Sequence, residues 1–343
     1  MKIAIDKNSL GVVKPSNEYI YLFNNEPLKE LLNTGLHCIY YKHCNFVDIN
    51  LTNYDINCIK KAKPTDKDYD KLPKKENYKF AIIVPNCNND HGSYKGKTFL
   101  QNCIESILNQ TYKNFELIVV DDLSTDTSIK TILNYDDKRV HVIKNKRKRY
   151  NGGSRNVGIE YAFDYVDFDY FCFLDSDDWW KHNQVLEHIN KRLYNHELMT
   201  LGCEGIGVNY RHYNKAISYQ DLYSLNGHVW CTAWSKVIRK DKIVYFCEDT
   251  LMEDRVWTYK LADNINFENV INLNELVYCW NRTNVTNSVS IVRSNYWDAC
   301  AYCHIGHQKQ LLTQLKHKEM IPLIEQRIKE CISNVNKGIY EQH

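Results

Sequence analysis

The chain has 343 residues, a formal net charge of +2 and 25% charged residues. That length allows one large or two medium domains, and the nearly neutral balance excludes a surface that binds polyanions over the whole molecule. The 13 cysteines are odd in number and follow no leader segment, so reduced thiols and a cytoplasmic location are expected. No run approaches the ~20 apolar residues of a membrane helix, which predicts no transmembrane segment.

Residues 1–79 are predicted to form a small α+β extension followed by a charged linker. Short apolar runs at 19–23 and 38–41 are typical of strands, and 27–32 has the pattern of a short helix that begins near a proline. Residues 60–79 are highly charged, contain two prolines and lack apolar periodicity. This composition predicts a linker and a domain boundary near residue 79.

From residue 80 onward, strands are predicted to alternate with helices. Apolar runs at 80–84, 114–120, 139–143 and 170–174 are typical of buried strands. Thr98 is the expected N-cap of a helix that reaches Leu108, and a second helix is expected from Asn151 to Val166. This alternation predicts an α/β fold with a mostly parallel, Rossmann-like sheet flanked by helices.

Carboxylates follow two of these strands directly. Asp175 and Asp177 come after the apolar run 170–174, and their i, i+2 spacing at a strand end places both side chains on one side of the pleat. Two such charges require a cation between them or a proton on one of them, and hard oxygen ligands suit Mg²⁺ or Mn²⁺. Asp121 and Asp122 follow the strand 114–120, so both acidic strand ends are expected at one sheet edge.

Asp-x-Asp spacing by itself is weak support for a metal and diphosphate site. It recurs at 66–68, 68–70 and 167–169, where no buried strand precedes it and a solvated loop is expected. Cys300 and Cys303 likewise have the CxxC spacing of a zinc site, with no second pair nearby. Neither pattern alone is sufficient to assign a metal.

Several further segments occur in a fixed order along the chain: Ile82-Ile-Val-Pro-Asn-Cys-Asn88, Ser106-Ile-Leu-Asn-Gln-Thr-Tyr112, the run 119–128 beginning Val-Val-Asp-Asp, Gly152-Gly-Ser-Arg-Asn-Val-Gly-Ile159, the run 234–241 beginning Trp-Ser-Lys, and Met252-Glu-Asp-Arg-Val-Trp257. This order resembles the inverting family-2 glycosyltransferases of the GT-A fold, over about 80–290. Three positions depart from the family pattern: the loop Asn86–Asn89, Leu123 where glycine is usual, and Ser154 where alanine is usual.

The resemblance implies a nucleotide-sugar donor, with a UDP-sugar favoured, and Mn²⁺ or Mg²⁺ as cofactor. It implies that Asp177 ligates the metal directly and that Asp175 ligates or orients it. Asp254 is the implied general base, with Glu253 as its rival. The implied donor-binding residues are Pro85, Asn88, Asp121, Asp122, Arg155, Asp175 and Asp177. For Arg155, an ion pair with Asp122 or Asp175 is the alternative role.

The acceptor is predicted less sharply. His228, Trp230 and Trp234 precede the acidic pair and offer aromatic surfaces that suit sugar rings, although aromatic residues are also ordinary in a core. A saccharide acceptor is therefore expected. The basic run 144–149 keeps open a nucleic-acid acceptor, such as hydroxymethylated DNA bases, although such runs are usually solvated.

Two readings outside the glycosyltransferases remain, a sugar-1-phosphate nucleotidyltransferase and a non-catalytic binding module. The first should carry a glycine-rich phosphate loop after the first strand, where this chain has Pro85-Asn-Cys-Asn. Residues 291–343 have helical apolar spacing and are expected to form a tail of two helices that pack on the catalytic domain or contact a partner. The oligomeric state is not predicted.

Overall fold

The computed structural model describes residues 75–145, 151–214, 221, 232–247, 253–283, 305–306, 308–309 and 311–336, with the backbone of 3–6, 19–22 and 37–40. Three short parallel strands near the N-terminus form a small sheet in the order β2-β1-β3. They are β1 (Ile3–Asp6), β2 (Tyr19–Leu22) and β3 (His37–Tyr40). The strands predicted at 19–23 and 38–41 are thus confirmed, and β1 is an addition. The predicted helix 27–32 lies outside the described residues, as does most of the linker, so the domain boundary stays a prediction.

The main sheet has nine strands in the order β6-β5-β4-β7-β11-β9-β12-β8, and β10 pairs with β9. Its strands are β4 (Phe80–Asn86), β5 (Phe115–Asp121), β6 (Val140–Lys144), β7 (Tyr170–Phe173), β8 (Trp179–Trp180), β9 (Leu198–Ile206), β10 (Arg211–His212), β11 (Lys236–Arg239) and β12 (Val270–Asn281). The four strands β6, β5, β4 and β7 are parallel, as expected. Beyond β7 the sheet is mixed, because β11 is antiparallel to both its neighbours and β12 is parallel to β9.

Helices cover both faces of this sheet. They are α1 (Phe99–Leu108), α2 (Ser128–Leu133), α3 (Asn151–Tyr165), α4 (Val185–Leu193), α5 (Glu253–Asn264) and α6 (Ile321–Asn336). Single 3₁₀ turns lie at Ala233–Ser235, Lys240–Lys242, Phe267–Asn269 and Lys318–Met320. α1 begins as predicted, because the Thr98 side chain accepts from the Gln101 backbone and the Gln101 side chain accepts from the Thr98 backbone. The predicted α/β architecture, a sheet flanked by helices, is confirmed.

The central strands are apolar on both faces, which explains their uninterrupted apolar runs. In β4, Phe80, Ile82 and Val84 pack with α1 and α4, whereas Ala81 and Ile83 pack with α3 and α5. The alternation follows from the strand period of two residues. The result is a three-layer arrangement in which the carboxyl ends of β4, β5 and β7 meet at one edge.

The C-terminal segment packs on the layer that contains α3 and α5. Leu311, Leu315, Met320, Ile324 and Ile328 are buried in the same apolar cluster as Trp257 of α5. The tail therefore packs on the body formed by the main sheet and its helices, one of the two arrangements expected for it. Among the residues that the structure describes, every helix is too short or too polar to cross a bilayer.

Candidate active site

Arg155 lies at the centre of the site, and its side chain is only 1% exposed. Its Nη2 donates to Asp175 Oδ1 at 2.7 Å, and its Nη1 donates to Glu253 Oε1 at 2.8 Å and Asp254 Oδ1 at 3.2 Å. Burial opposes the arginine charge, but the carboxylates of Asp254, Asp175 and Glu253 outweigh it and raise the Arg155 pKa. One guanidinium thus joins the Asp-x-Asp turn to the acidic pair of α5.

The first turns of α3 hold Arg155 in place, because the residues packed around them prevent the helix from shifting. Asn156 Nδ2 donates to the Phe246 carbonyl at 2.9 Å, and the Phe246 N–H donates to Asn156 Oδ1 at 2.8 Å. A Cβ on Gly152 would lie 2.1 Å from the Cys247 carbonyl oxygen, and one on Gly158 would meet Ile83 at 2.6 Å. The glycines of the segment 152–158 therefore serve close packing, and Arg155 is left to face the carboxylates.

The Asp-x-Asp turn is held in place by β12. Tyr278 Oη donates to Asp178 Oδ2 at 2.6 Å and accepts from the Asp175 N–H at 3.2 Å, while the Asn281 N–H donates to Asp178 Oδ1 at 2.7 Å. Sequence reasoning missed Tyr278, which lies inside an apolar strand a hundred residues further along the chain and carries no local signal.

The carboxyls of this turn are close enough to influence each other. Burial and the negative charge of Asp175 raise the pKa of Asp177 to about 6. Burial and the charges of Asp177 and Asp175 raise the pKa of Asp178 well above its usual range. Asp175 and Asp177 are both half-buried, whereas Asp178 is buried and hydrogen-bonded. Two accessible oxygen donors of this kind suit Mg²⁺ or Mn²⁺, so the residues present fit the expected metal.

A second acidic turn follows β5. The Asp122 N–H donates to the Asn86 carbonyl at 2.7 Å, and Asp122 Oδ1 accepts from Asn145 Nδ2 at 3.0 Å. Asp121 Oδ2 accepts from the Ser124 N–H at 3.2 Å, so this carboxylate closes its own turn. Asn145 was not predicted, although its place just after β6 would have put it at the same sheet edge.

Two residues of this region have left-handed backbones. Leu123 has φ 61° and Asn88 has φ 55°. Leu123 thus adopts the conformation for which the related turns use glycine, at a cost of about 1–2 kcal/mol. Asn88 Oδ1 accepts from the Thr125 N–H at 2.6 Å, so Asn88 supports the turn 124–126. Pro85 is buried in β4, beside Val120 of β5.

The two residues of the acidic pair differ in exposure. The Glu253 side chain is 2% exposed and the Asp254 side chain is 19% exposed. Since adjacent residues of a helix point about 100° apart, Glu253 faces the core and Asp254 borders solvent. Of the two, Asp254 is the carboxylate that a bound molecule can reach.

The predicted acceptor residues are described only in part. Trp234 is 3% exposed and stacks on Tyr278 with ring centroids 4.2 Å apart, so it supports the residue that holds Asp178. His228 and Trp230 lie outside the described residues, as do 146–149 of the basic run. The structure brings the residues predicted for the donor, the metal and the base to one edge of the sheet. Their roles stay predictions, as do the acceptor residues.

Comparison with known proteins agrees with the motif order. The sequence profile of Glycosyl transferase family 2 matches residues 81–256. An uncharacterized glycosyltransferase of Haemophilus influenzae is 37% identical over 154 residues, 43% of this chain and 57% of the relative. The UDP-Glc:alpha-D-GlcNAc-diphosphoundecaprenol beta-1,3-glucosyltransferase WfgD of Escherichia coli is 33% identical over 120 residues, 35% of this chain and 43% of that one. The matches span about half the length of these relatives.

Solved structures share the fold. Residues 1–349 of TarS from S. aureus, in complex with UDP-GlcNAc, superpose with a TM-score of 0.55 and 19% identity, covering 74% of this chain and 71% of that one. At this level of identity, the likeness concerns the fold.

Proposed function

The chain belongs to glycosyl transferase family 2, and we propose that it transfers a sugar from a nucleotide-sugar, preferably a UDP-sugar, to an acceptor hydroxyl with inversion at the anomeric carbon. The observation that carries this proposal is the Arg155 junction. Its guanidinium donates to Asp175, Glu253 and Asp254 within 3.2 Å, so the donor carboxylates and the candidate base belong to one site.

Each residue then has a distinct role in a single displacement. Asp122 and the turn around it bind the nucleoside, and Arg155 orients the carboxylates on both sides of the reacting sugar. Asp254 accepts the proton of the acceptor hydroxyl. As the proton leaves, the hydroxyl oxygen bonds to the anomeric carbon and the bond from that carbon to the leaving diphosphate breaks. Mn²⁺ or Mg²⁺, held by Asp177 with Asp175, would offset the charge that develops on that diphosphate.

A saccharide acceptor is the proposal that the relatives support. WfgD of Escherichia coli is named as a glucosyltransferase that acts on alpha-D-GlcNAc-diphosphoundecaprenol, a saccharide-bearing acceptor. The nucleic-acid alternative rested on a basic run whose residues 146–149 lie outside the described part of the chain, so no observation favours it. A cytoplasmic location also stays a prediction.

The test compares Asp254→Asn with Glu253→Gln. We expect Asp254→Asn to bind UDP like the wild type and to lose ~10²–10⁴-fold in UDP release from a UDP-sugar, because only the proton acceptor is removed. Calorimetry with UDP and a coupled assay of UDP release, across a panel of UDP-sugars and simple saccharides, measure the two effects. Full turnover by Asp254→Asn with loss in Glu253→Gln would transfer the role to Glu253. Absence of UDP binding by the folded wild type would contradict the UDP-sugar donor.

A further inference from the structure

A second cluster of metal-ligating side chains lies between α4 and β12, formed by His182, His188 and Glu275. Glu275 Oε1 is 3.3 Å from His182 Nε2 and 2.9 Å from His188 Nδ1. All three side chains are about 30% exposed, so an ion can reach them. Within the described part of the chain, this is the one group of three His, Cys, Asp or Glu residues whose ligand atoms lie within 4.8 Å of one another.

Two features of the fold bring these residues together: hydrogen bonds that position the histidines, and a bulge in β12 that positions Glu275. The segment before α4 is anchored to the turn that follows α1, because Gln110 Nε2 donates to the His182 carbonyl at 2.8 Å and Gln110 Oε1 accepts from the Leu186 N–H at 3.0 Å. This fixes His182 beside the first turn of α4, which carries His188. The cluster is therefore attached directly to the segment that leaves the Asp-x-Asp turn.

Glu275 reaches the histidines because β12 bulges at this point. Asn272 pairs with Thr200 and Leu276 with Gly202, so four steps along β12 correspond to two along β9. Asn274 has φ 56°, and the Glu275 carbonyl oxygen would lie 2.7 Å from a Cβ on Gly202. A bulge changes the direction of a strand's side chains, and here it turns Glu275 toward α4.

We propose that His182, His188 and Glu275 bind a Zn²⁺ ion that fastens α4 to β12. Two imidazole nitrogens and a carboxylate oxygen are ligands that Zn²⁺ prefers, with water as the fourth. Bonds of about 2.0–2.1 Å in a tetrahedron place neighbouring ligand atoms about 3.3 Å apart. The His182–Glu275 separation of 3.3 Å already has this value, and the His188–Glu275 separation of 2.9 Å needs only a small widening. The two imidazoles give this cluster a different metal preference from the Asp175–Asp177 turn, whose oxygen-only donors suit harder ions.

Several existing contacts define what ion binding must change. His188 Nδ1 is 2.9 Å from Glu275 Oε1 and 3.0 Å from Glu275 Oε2, so this hydrogen bond is given up and Nδ1 releases its proton when both residues ligate the ion. The Gln184 N–H donates to His182 Nδ1 at 3.2 Å, and this weak hydrogen bond is lost when Nε2 ligates a metal and Nδ1 carries the proton. Arg192 Nη1 lies 3.9 Å from Glu275 Oε2, but its side chain is 48% exposed and can turn to solvent. Arg192→Gln is therefore expected to tighten Zn²⁺ binding several-fold.

The experiment titrates the full chain, treated with chelator, with Zn²⁺ in excess Mg²⁺, which occupies oxygen-only sites. We expect one Zn²⁺ per chain by calorimetry, and at least tenfold weaker binding in both His188→Gln and Glu275→Gln. The matched control is His141→Gln, because His141 Nε2 contacts a single carboxylate, Glu116, at 3.0 Å. That variant should bind Zn²⁺ like the wild type. Circular dichroism establishes that each variant is folded.

Co²⁺ in place of Zn²⁺ gives a second readout that does not depend on affinity. A tetrahedral site of nitrogen and oxygen ligands should produce intense visible bands without the near-ultraviolet band of a thiolate ligand, and His188→Gln should abolish them. Equal Zn²⁺ binding by wild type, His188→Gln and Glu275→Gln would overturn the proposal. So would a Co²⁺ spectrum dominated by thiolate, since the ion would then be on cysteine.

Discussion

The buried guanidinium of Arg155 faces three carboxylates from two distant parts of the chain. Asp175 follows β7, whereas Glu253 and Asp254 open α5. Because the guanidinium is a planar fork with five donors, it can satisfy acceptors on two sides at once, which a lysine ammonium cannot do in a fixed geometry. The remaining negative charge of the group is what a bound cation would meet.

Replacing Arg155 should show how much the buried Glu253 carboxylate lowers the free energy of unfolding when it lacks this cation. We expect Arg155→Met to lower the free energy of unfolding by about 3–5 kcal/mol, because Glu253 is then buried without its cation. In that background, Glu253→Gln should raise stability, although the same change should lower it in the wild type. Urea denaturation of the four proteins measures this change of sign.

The matched control for this cycle is Asp254→Asn combined with Arg155→Met. Asp254 is partly exposed, so its charge remains hydrated when the arginine is removed, and neutralising it should restore little stability. Simple additivity of Arg155→Met and Glu253→Gln would contradict the assignment of Glu253 as the buried partner that depends on Arg155.

At the scale of elements, the sequence predicted what depends on neighbours along the chain. The cap at Thr98, the limits of α1 and the strand before Asp175 all follow from local periodicity and capping, and they are confirmed. The left-handed backbone at Leu123 has no source in the leucine side chain, and only the glycine that is usual at this position points to it. The role of Tyr278 was not predicted for a different reason, since its hydroxyl donates to a turn that is distant in sequence.

Tyr278→Phe tests whether β12 orders the Asp-x-Asp turn. The change leaves Asp178 Oδ2 without its donor and the Asp175 N–H without its acceptor. The free energy of unfolding should therefore fall by about 1–3 kcal/mol. Because the same turn would hold the metal and diphosphate, UDP affinity in Mn²⁺ should also fall several-fold. Denaturation and calorimetry give the two values.

Tyr170→Phe is the control that separates stability from site geometry. Its hydroxyl donates to the His196 carbonyl at 2.8 Å, so its loss should cost stability too, but Tyr170 begins β7 at the end away from Asp175. UDP affinity should therefore stay at the wild-type value. An equal loss of affinity in both variants would mean that the effect of Tyr278 is general destabilisation.

At the scale of the whole molecule, the parallel half of the sheet was predictable and the mixed half was not. β6, β5, β4 and β7 are joined by helices, and such connections impose a parallel order with right-handed crossovers. β8 has only two residues, and β11 and β12 find partners far away in sequence, so neither length nor periodicity reveals them. Their pairing nevertheless delivers Tyr278 and Glu275 to their positions.

The tail helix α6 should unfold together with the body of the main sheet, because it shares the apolar layer of α3 and α5. Ile324 is 1% exposed in that layer, whereas Ile332 of the same helix is 38% exposed. We expect Ile324→Ala to cost about 2–5 kcal/mol, from lost burial and the cavity left behind. Ile332→Ala should change stability by less than about 0.5 kcal/mol, and both changes alter helix propensity equally.

Denaturation followed by tryptophan fluorescence and by circular dichroism distinguishes a shared core from an independent tail. Trp257 lies in the same layer as Ile324, so fluorescence reports on the body that α6 covers. If the core is shared, Ile324→Ala shifts the fluorescence transition to lower denaturant, and the helical signal shifts with it. An independent tail would instead leave the fluorescence midpoint unchanged and add an earlier loss of helix, because the body would keep its stability when α6 melts.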